Sequence, residues 1–379
     1  IAGIGANVLG YAEPDVDRAV KIGIDKGSSS SLNCPEEVEL AALLCELHPW
    51  AEMVRFTRSG GEAMTVAVRI ARAYRGRDKI AFCGYHGWHD WYLSANLGTE
   101  NALGEHLMAG LNPAGVPKNL AGTAFPFQYN RLDELQEIVS AHGDDLAAVV
   151  MEPIRNFEPQ EGFIEGVRSL AEMTGAVLIF DEISSGFRLT TGGAHLALKK
   201  GYPDVAVFSK GLGNGYPIAA VIGKGDVMQA AQRTFISSTC WTERIGPVAA
   251  IATIEKFRRN DVAKHLVALG ERVQQGWRNL AEKNGLDIGV GGMYPMSHFM
   301  FDDEKRLMMK AYFVQIMLEK GFLASNLFYA MYSHTFDHVA LYLKALDEAF
   351  AEIGMALKDG DLEKRLQGEP SASGFGRLT

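Results

Sequence analysis

Three short apolar runs in this chain each stop at a charged residue. Leu146 to Met151 ends at Glu152-Pro153, Ala176 to Phe180 ends at Asp181-Glu182, and Val205 to Ser209 ends at Lys210. Unbroken apolar runs of this length predict strands buried on both faces. Elsewhere the spacing changes to that of helices. Glu36 to Leu47 reads EEVELAALLCEL, an amphipathic helix. Glu62 to Tyr74 places Ala63, Ala67, Ile70, Ala71 and Tyr74 on one helical face. Val54 to Phe56 and Lys79 to Cys83 predict two more strands. Ile245 to Phe257 and Ala263 to Lys283 predict two longer helices.

Strands and helices alternate up to about Gly223, which predicts an α/β doubly wound domain with a mostly parallel sheet. The stretch from Ser94 to Tyr129 has little periodicity and several Gly and Pro residues, so it is expected to be a long loop, either a functional lid or disordered. Residues from about 284 onward suggest a smaller α+β unit, with a loose end from Glu369. The expected division is 1–35 as the N-terminal part of the small domain, 36–257 as the large domain, and 258–379 as an interdomain helix and the rest of the small domain.

Composition narrows the class. Of 379 residues, 47% are hydrophobic, enough for a substantial core, and the formal net charge of -9 leaves no basic footprint for nucleic acid. Cys34, Cys45, Cys83 and Cys240 form no CxxC pair, so a reduced, cytoplasmic setting is expected. No apolar stretch reaches the roughly 18 residues of a membrane span. Ile1 rather than Met stands first, so further residues are expected upstream.

In an open α/β sheet, ligands bind at the carboxyl ends of the strands. A lysine and an aspartate delivered there suggest pyridoxal phosphate: Lys210 gives the amine for a Schiff base, and Asp181 gives the carboxylate for the pyridinium nitrogen. Once a substrate amine displaces it, Lys210 becomes a free base and acid for a 1,3-proton shift. Ser59-Gly60-Gly61 lies between a strand and a helix start, where backbone N–H groups can cradle a phosphate. Gly84-Tyr85-His86-Gly87-Trp88-His89 places aromatics at a strand end, so that Tyr85 could stack on a flat ring. His86 and His89 are three apart, but the glycine between them argues against a helical metal pair, and no metal is expected. Ile183 is placed to pack beneath the ring.

The segments TRSGGEAMTVAVRIARA, GYHGWHD, MEPIRN, IFDEISSGFR and FSKGLGNGYPIAAVIG resemble class III pyridoxal-phosphate aminotransferases. Within them the chain looks most like the branch containing glutamate-1-semialdehyde 2,1-aminomutase. The likeness runs from about residue 1 to 350. It implies fold type I: a large domain with a mostly parallel seven-stranded sheet, a smaller α+β domain, and a homodimer with its sites at the subunit interface. By resemblance, Lys210 is the Schiff-base lysine and Asp181 the partner of the ring nitrogen. Gly60 and Gly61, beside Ser59, bind the phosphate. Tyr85, next to His86, stacks on the ring, and Ile183 lies beneath it. Glu152 and Asn156 match positions near the phenolic oxygen. Thr239 matches a threonine reaching the neighbouring subunit's phosphate.

The chain also departs from the family. Arg58-Ser59-Gly60-Gly61 replaces the frequent Asn-Ser-Gly-Thr, so the phosphate must rest on backbone groups. The family's short threonine-to-proline segment is longer here, Thr239 to Pro247. No arginine clearly matches the usual α-carboxylate clamp. The activity implied is transfer of an amino group from a donor such as glutamate to a carbonyl acceptor, through pyridoxamine phosphate. The alternatives are an aminomutase, or a lyase or dehydratase, on an amino-sugar or natural-product intermediate. No membrane or nucleic-acid partner is expected.

Overall fold

The structure is a computed structural model that describes residues 1–98, 102–106, 109–372 and 374. Its main sheet contains β1 (Met53–Thr57), β2 (Lys79–Cys83), β3 (Ala124–Pro126), β4 (Leu146–Met151), β5 (Val177–Asp181), β6 (Val205–Phe208) and β7 (Ala219–Gly223). These seven strands run in the order β1-β7-β6-β5-β4-β2-β3. Only β7 is reversed, pairing antiparallel with both β1 and β6. The unbroken apolar runs have the predicted cause, since every residue of β4, β5, β6 and β7 is buried.

Helices cover both faces. The expected helix at Glu36 is α2 (Pro35–Leu47), which follows α1 (Pro14–Asp25). The one expected at Glu62 is α3 (Gly60–Arg75), which starts two residues earlier. Next come α4 (Leu132–His142), α5 (Phe163–Thr174), α6 (Ile245–Asn260) and α7 (Val262–Lys283). On one face of the sheet, Ala63, Ala67, Ile70 and Ala71 of α3 pack among Ile80, Val150, Ile179 and Val207. The other face joins a larger core that continues through α6 and α7.

The stretch from Ser94 to Tyr129 differs from expectation. It holds short helical turns at Ser94–Leu97, Ala102–His106 and Lys118–Leu120, and then β3, the edge strand. Three residues, one of them proline, carry too little alternation to be read as a strand; pairing of Ile80 with Ala124 and Ala81 with Phe125 makes them one. Asn96 ties the stretch down, donating to Leu111 O at 2.7 Å and accepting from Leu103 N at 2.9 Å. Residues 99–101, 107 and 108 of this stretch, and 373 and 375–379 of the expected loose end, lie outside the described residues.

Beyond α7, β8 (Ile288–Gly291), β9 (Met296–Phe301) and β10 (Leu327–Tyr329) form an antiparallel sheet of order β10-β9-β8. α8 (Arg306–Glu319) and α9 (Phe336–Asp359) pack beside it around Phe299, Phe313 and Phe350. The first residues of the chain return to this region, where Tyr332 N donates to Val8 O at 2.9 Å and Ser333 N to Leu9 O at 3.0 Å. Among the described residues no helix is long and apolar enough to cross a membrane.

Candidate active site

Strand register explains why distant charges meet. Cys83 pairs with Met151, Met151 with Phe180, and Asp181 with Val207, so β2, β4, β5 and β6 stop at nearly one level. The next residues, Gly84-Tyr85, Glu152, Glu182 and Ser209-Lys210, therefore leave the sheet side by side, with Asp181 as the last residue of β5.

Asp181 is buried, 3% exposed, and its Oδ2 lies 2.8 Å from His86 Nδ1. The other ring nitrogen, Nε2, is 3.1 Å from Cys83 O, which can only accept, so Nε2 donates. Phe82, Trp91 and Tyr92 enclose His86, with Trp91 stacked at 6.1 Å. The second Asp181 oxygen accepts from Ile183 N at 3.0 Å. Both carboxylate oxygens are thus fixed.

Lys210 opens a tight turn, Lys210–Gly213, with φ of 30°, a region that non-glycine residues seldom occupy. Its Nζ donates to Ser184 Oγ at 2.8 Å. Burial, and then the nearby Arg155 guanidinium, lower the amine from its ordinary value to about 8. Asn214 closes the same turn, accepting from Leu9 N at 2.8 Å and donating to Gly10 O at 3.1 Å. Arg188, fully buried, donates through Nε to Ser184 O at 2.7 Å and through Nη2 to Gly5 O. The first residues of the chain are thereby fastened against the lysine turn.

Gly60 and Gly61 form the first turn of α3, and Ser59, exposed, makes no side-chain cap. The first N–H groups of that turn are free for an anion. A Cβ on Gly60 would fall 2.8 Å from Ile183 Cδ1, which explains glycine there. Tyr85 is half-buried between this cradle and Glu152, and burial pushes its phenol up. Gly84 has φ of 116°, and its missing Cβ would meet Glu152 Oε2 at 2.7 Å. Glu152 accepts from Tyr85 N at 3.3 Å and from Arg155 Nη1 at 3.1 Å. Asn156 lines the adjoining cavity of about 130 Å³ with Glu152 and Arg155.

A free helix N-terminus at Gly60 and Gly61, a carboxylate at Asp181 backed by His86, and an amine at Lys210 fit pyridoxal phosphate from phosphate to ring nitrogen. Of the expected set, Thr239 stands apart. It is exposed, and its turn, Thr239–Thr242, is tied to the cradle by neighbours. Arg58 Nη2 donates to Trp241 O at 3.1 Å and Glu243 O at 2.8 Å, and Trp241 Nε1 donates to Glu62 Oε1 at 3.0 Å. His89 contacts Thr65 rather than His86. No group of three metal-ligand side chains gathers among the described residues.

Sequence reasoning missed Arg155, Ser184 and Arg188. All three lie inside the quoted motifs MEPIRN and IFDEISSGFR. A cation three residues after Glu152 was the available sign of Arg155.

The family comparison agrees with this geometry. The description "Aminotransferase class-III" matches residues 1–338, and the chain belongs to that family. The 3-aminobutyryl-CoA aminotransferase of Cloacimonas acidaminovorans (strain Evry) is 35% identical over 362 residues, 92% of this chain and 83% of that protein. The glutamate-1-semialdehyde 2,1-aminomutase of Natranaerobius thermophilus is 31% identical over 378 residues, 93% of this chain and 86% of that protein. The Sphingopyxis sp. MTA144 FumI protein, solved in its pyridoxal-phosphate internal aldimine form, superposes with a TM-score of 0.84 at 26% identity, covering 94% of this chain and 84% of that one. The chain is a pyridoxal-phosphate-dependent aminotransferase of fold type I.

Proposed function

We propose that this chain takes an amino group from a separate donor of the glutamate class and gives it to a carbonyl acceptor, working as a cytoplasmic homodimer. The observation that carries the reading is Lys210 at the end of β6, its Nζ 2.8 Å from Ser184 Oγ, beside a carboxylate whose oxygens are both fixed. When bound, the cofactor supplies a carbonyl for amine exchange and a ring that takes up electrons.

The remaining work falls to side chains of this chain. Asp181, backed by His86, holds a proton at the ring nitrogen, keeping the ring electron-poor. Lys210, uncharged for part of the time near neutrality, would take the proton from the substrate carbon and return it two atoms along, a 1,3-shift. Gly60 and Gly61 hold the phosphate through N–H groups, with Ser59 at the rim. Tyr85 and Ile183 close on the two ring faces. Glu152, with Asn156 nearby, stands at the phenolic oxygen. Thr239, exposed here, would serve the phosphate of a partner subunit.

Donor use is favoured over the mutase reading by the relatives, the aminotransferase being 35% identical and the aminomutase 31%. Ala95, Leu103, Val116 and Ala124 are buried and β3 belongs to the sheet, so much of the expected lid is part of the domain wall. Free thiols at Cys34, Cys45, Cys83 and Cys240 support a reduced compartment.

The test is an absorbance spectrum before and after glutamate alone. Loss of a band near roughly 410–420 nm, with a gain near about 330 nm, is the expected result. A small 3-oxoacyl thioester is the first acceptor to try, given the name of the 35%-identical relative. If product forms without any amino donor, the mutase reading wins. A band that no amino acid changes refutes the donor assignment.

A further inference from the structure

Ser184 stands three residues beyond the end of β5, buried, 5% exposed, in a loop with little freedom. Its neighbour Ile183 donates its N–H to Asp181 Oδ1 at 3.0 Å, and its own carbonyl accepts from Arg188 Nε at 2.7 Å. Gly186 N donates to Glu182 O at 2.8 Å. Glu182, fully buried, accepts from Ser185 Oγ and, at 3.0 Å each, from Ala194 N and His195 N. His195 Nδ1 lies 2.7 Å from the same carboxylate. Trp50 Nε1, which can only donate, lies 3.0 Å from His195 Nε2, so the imidazole keeps its proton on Nδ1 and donates it to Glu182. The loop after β5 is thus fastened on both flanks of one small side chain. The Ser184 Oγ that this frame presents lies 2.8 Å from Lys210 Nζ.

The acids near the lysine are engaged elsewhere. Asp181 holds His86 and the Ile183 N–H, Glu182 holds His195 and Ser185, and Glu152 holds Arg155 and the Tyr85 N–H. Among the described residues the hydrogen-bond partner left to Nζ is a neutral hydroxyl. That difference matters for a base. A carboxylate in hydrogen-bond contact would favour the ammonium form and hinder proton removal, whereas a hydroxyl fixes the amine's direction and holds its proton only weakly.

We propose that Ser184 is a positioning residue, its hydroxyl holding the free Lys210 amine in one rotamer for proton transfer at the substrate carbon. An uncharged amine has two N–H groups and one lone pair. With one N–H given to Ser184 Oγ, the lone pair is turned away from the loop and left for the substrate. When Nζ takes the proton, a C–H bond breaks, an N–H bond forms, and the electron pair stays on the carbon side. The ammonium keeps an N–H for Ser184, so the contact survives the transfer and the proton is returned from the same place. Without the hydroxyl, a flexible four-carbon side chain has to find that placement unaided. The inference rests on the aminotransferase reading of the site.

The test is single-turnover conversion of the cofactor-bound protein by glutamate, followed at the visible band, with ordinary glutamate and with glutamate deuterated at its α-carbon. Ser184→Ala removes one oxygen and leaves the carbonyl that Arg188 holds. Its conversion should be slower by about 10- to 100-fold, the scale for a base held slightly out of place. The glutamate concentration giving half the maximal rate should change by less than about threefold, as expected when ground-state binding is untouched. The deuterium effect should grow, since proton removal becomes the slow step.

A second reading needs neither cofactor nor substrate. The pH midpoint of Lys210 acylation by acetic anhydride in the apoprotein, read by peptide mass spectrometry, should fall by about half a unit in Ser184→Ala, because the ammonium loses an acceptor. The charged groups facing the amine, Glu152, Arg155, Asp181 and Arg188, are the same in both proteins. An unchanged conversion rate in folded Ser184→Ala overturns the proposal. So does a slowed rate with an unchanged deuterium effect, or an acylation midpoint that stays or rises. If glutamate does not convert the wild type and the midpoint still falls, the donor assignment fails while the hold of Ser184 on Lys210 stands.

Discussion

Replacing Gly60 by alanine isolates one close approach in the site. The new Cβ would lie 2.8 Å from Ile183 Cδ1, 3.1 Å from Cγ2 and 3.2 Å from Cγ1. Rotating the terminal methyl relieves only the first of these, because the other two atoms branch from a stiff Cβ. Either the start of α3 backs away by a few tenths of an ångström or Ile183 moves. Ile183 N is bonded to Asp181 Oδ1 at 3.0 Å, so its movement also disturbs the carboxylate. Overpacking of this kind costs about 1–3 kcal/mol. If the strain falls on the cofactor-bound state, the cofactor dissociation constant rises by about 5- to 150-fold. The assay is equilibrium dialysis of cofactor, read beside thermal melts of the apoprotein. Ile183→Ala in the same background removes all three contacts and should recover part of the loss, giving a coupling energy from the double-mutant cycle. Unchanged affinity in a folded Gly60→Ala protein would show that the cradle has slack and that the argument from the missing Cβ is wrong.

Other outcomes follow from the same geometry. Lys210→Ala should leave a folded protein with no visible band and no turnover; a normal rate in that variant would remove the lysine from the mechanism. Asp181→Ala should lower turnover by orders of magnitude and weaken cofactor retention, and an unchanged rate would mean that another group holds the ring nitrogen. Lys210 also links pH to stability in the apoprotein. Its folded value of about 8 lies below its ordinary 10.5, so within that window the unfolded chain holds a proton the folded one lacks, and apoprotein stability gains from this group as pH rises. Urea melts at pH 7.5 and 10 should show that gain in the wild type and lose it in Lys210→Met; equal slopes in both would refute the assignment.

The legible part of the fold was the part set by local pattern. Val205 to Phe208 and Leu146 to Met151 could be read as strands because burial on both faces leaves no polar position, and strand ends located Lys210, Asp181 and Glu152. β3 could not be read, since Ala124–Pro126 is a strand only by pairing with β2. α1 gave no reading either, although Pro14 and the Glu13 cap mark its start. In the site, motif residues were visible and their partners were not. Ser184 looks like any loop serine until the Lys210 turn is folded over it, and Arg188 looks exposed by type yet is fully buried. Arg155 has no local pattern to mark it, because Met293, which fixes its backbone, lies far along the chain.

The position of β1 bears on how the protein comes into being. Met53 to Thr57 is the first strand made, yet it pairs only with Ala219 to Gly223, the last of the seven. The phosphate cradle that follows β1 rests on Ile183 and on strands made before β7, but β1 itself has no partner until β7 arrives. Closure over so long a stretch of chain is slow and entropically unfavourable until the contacts are made. A nascent chain ending before β7 would carry both Asp181 and Lys210 with the strand leading into the cradle still unpaired. Pairing of β1 with β7 thus closes the sheet on the side from which the cradle springs.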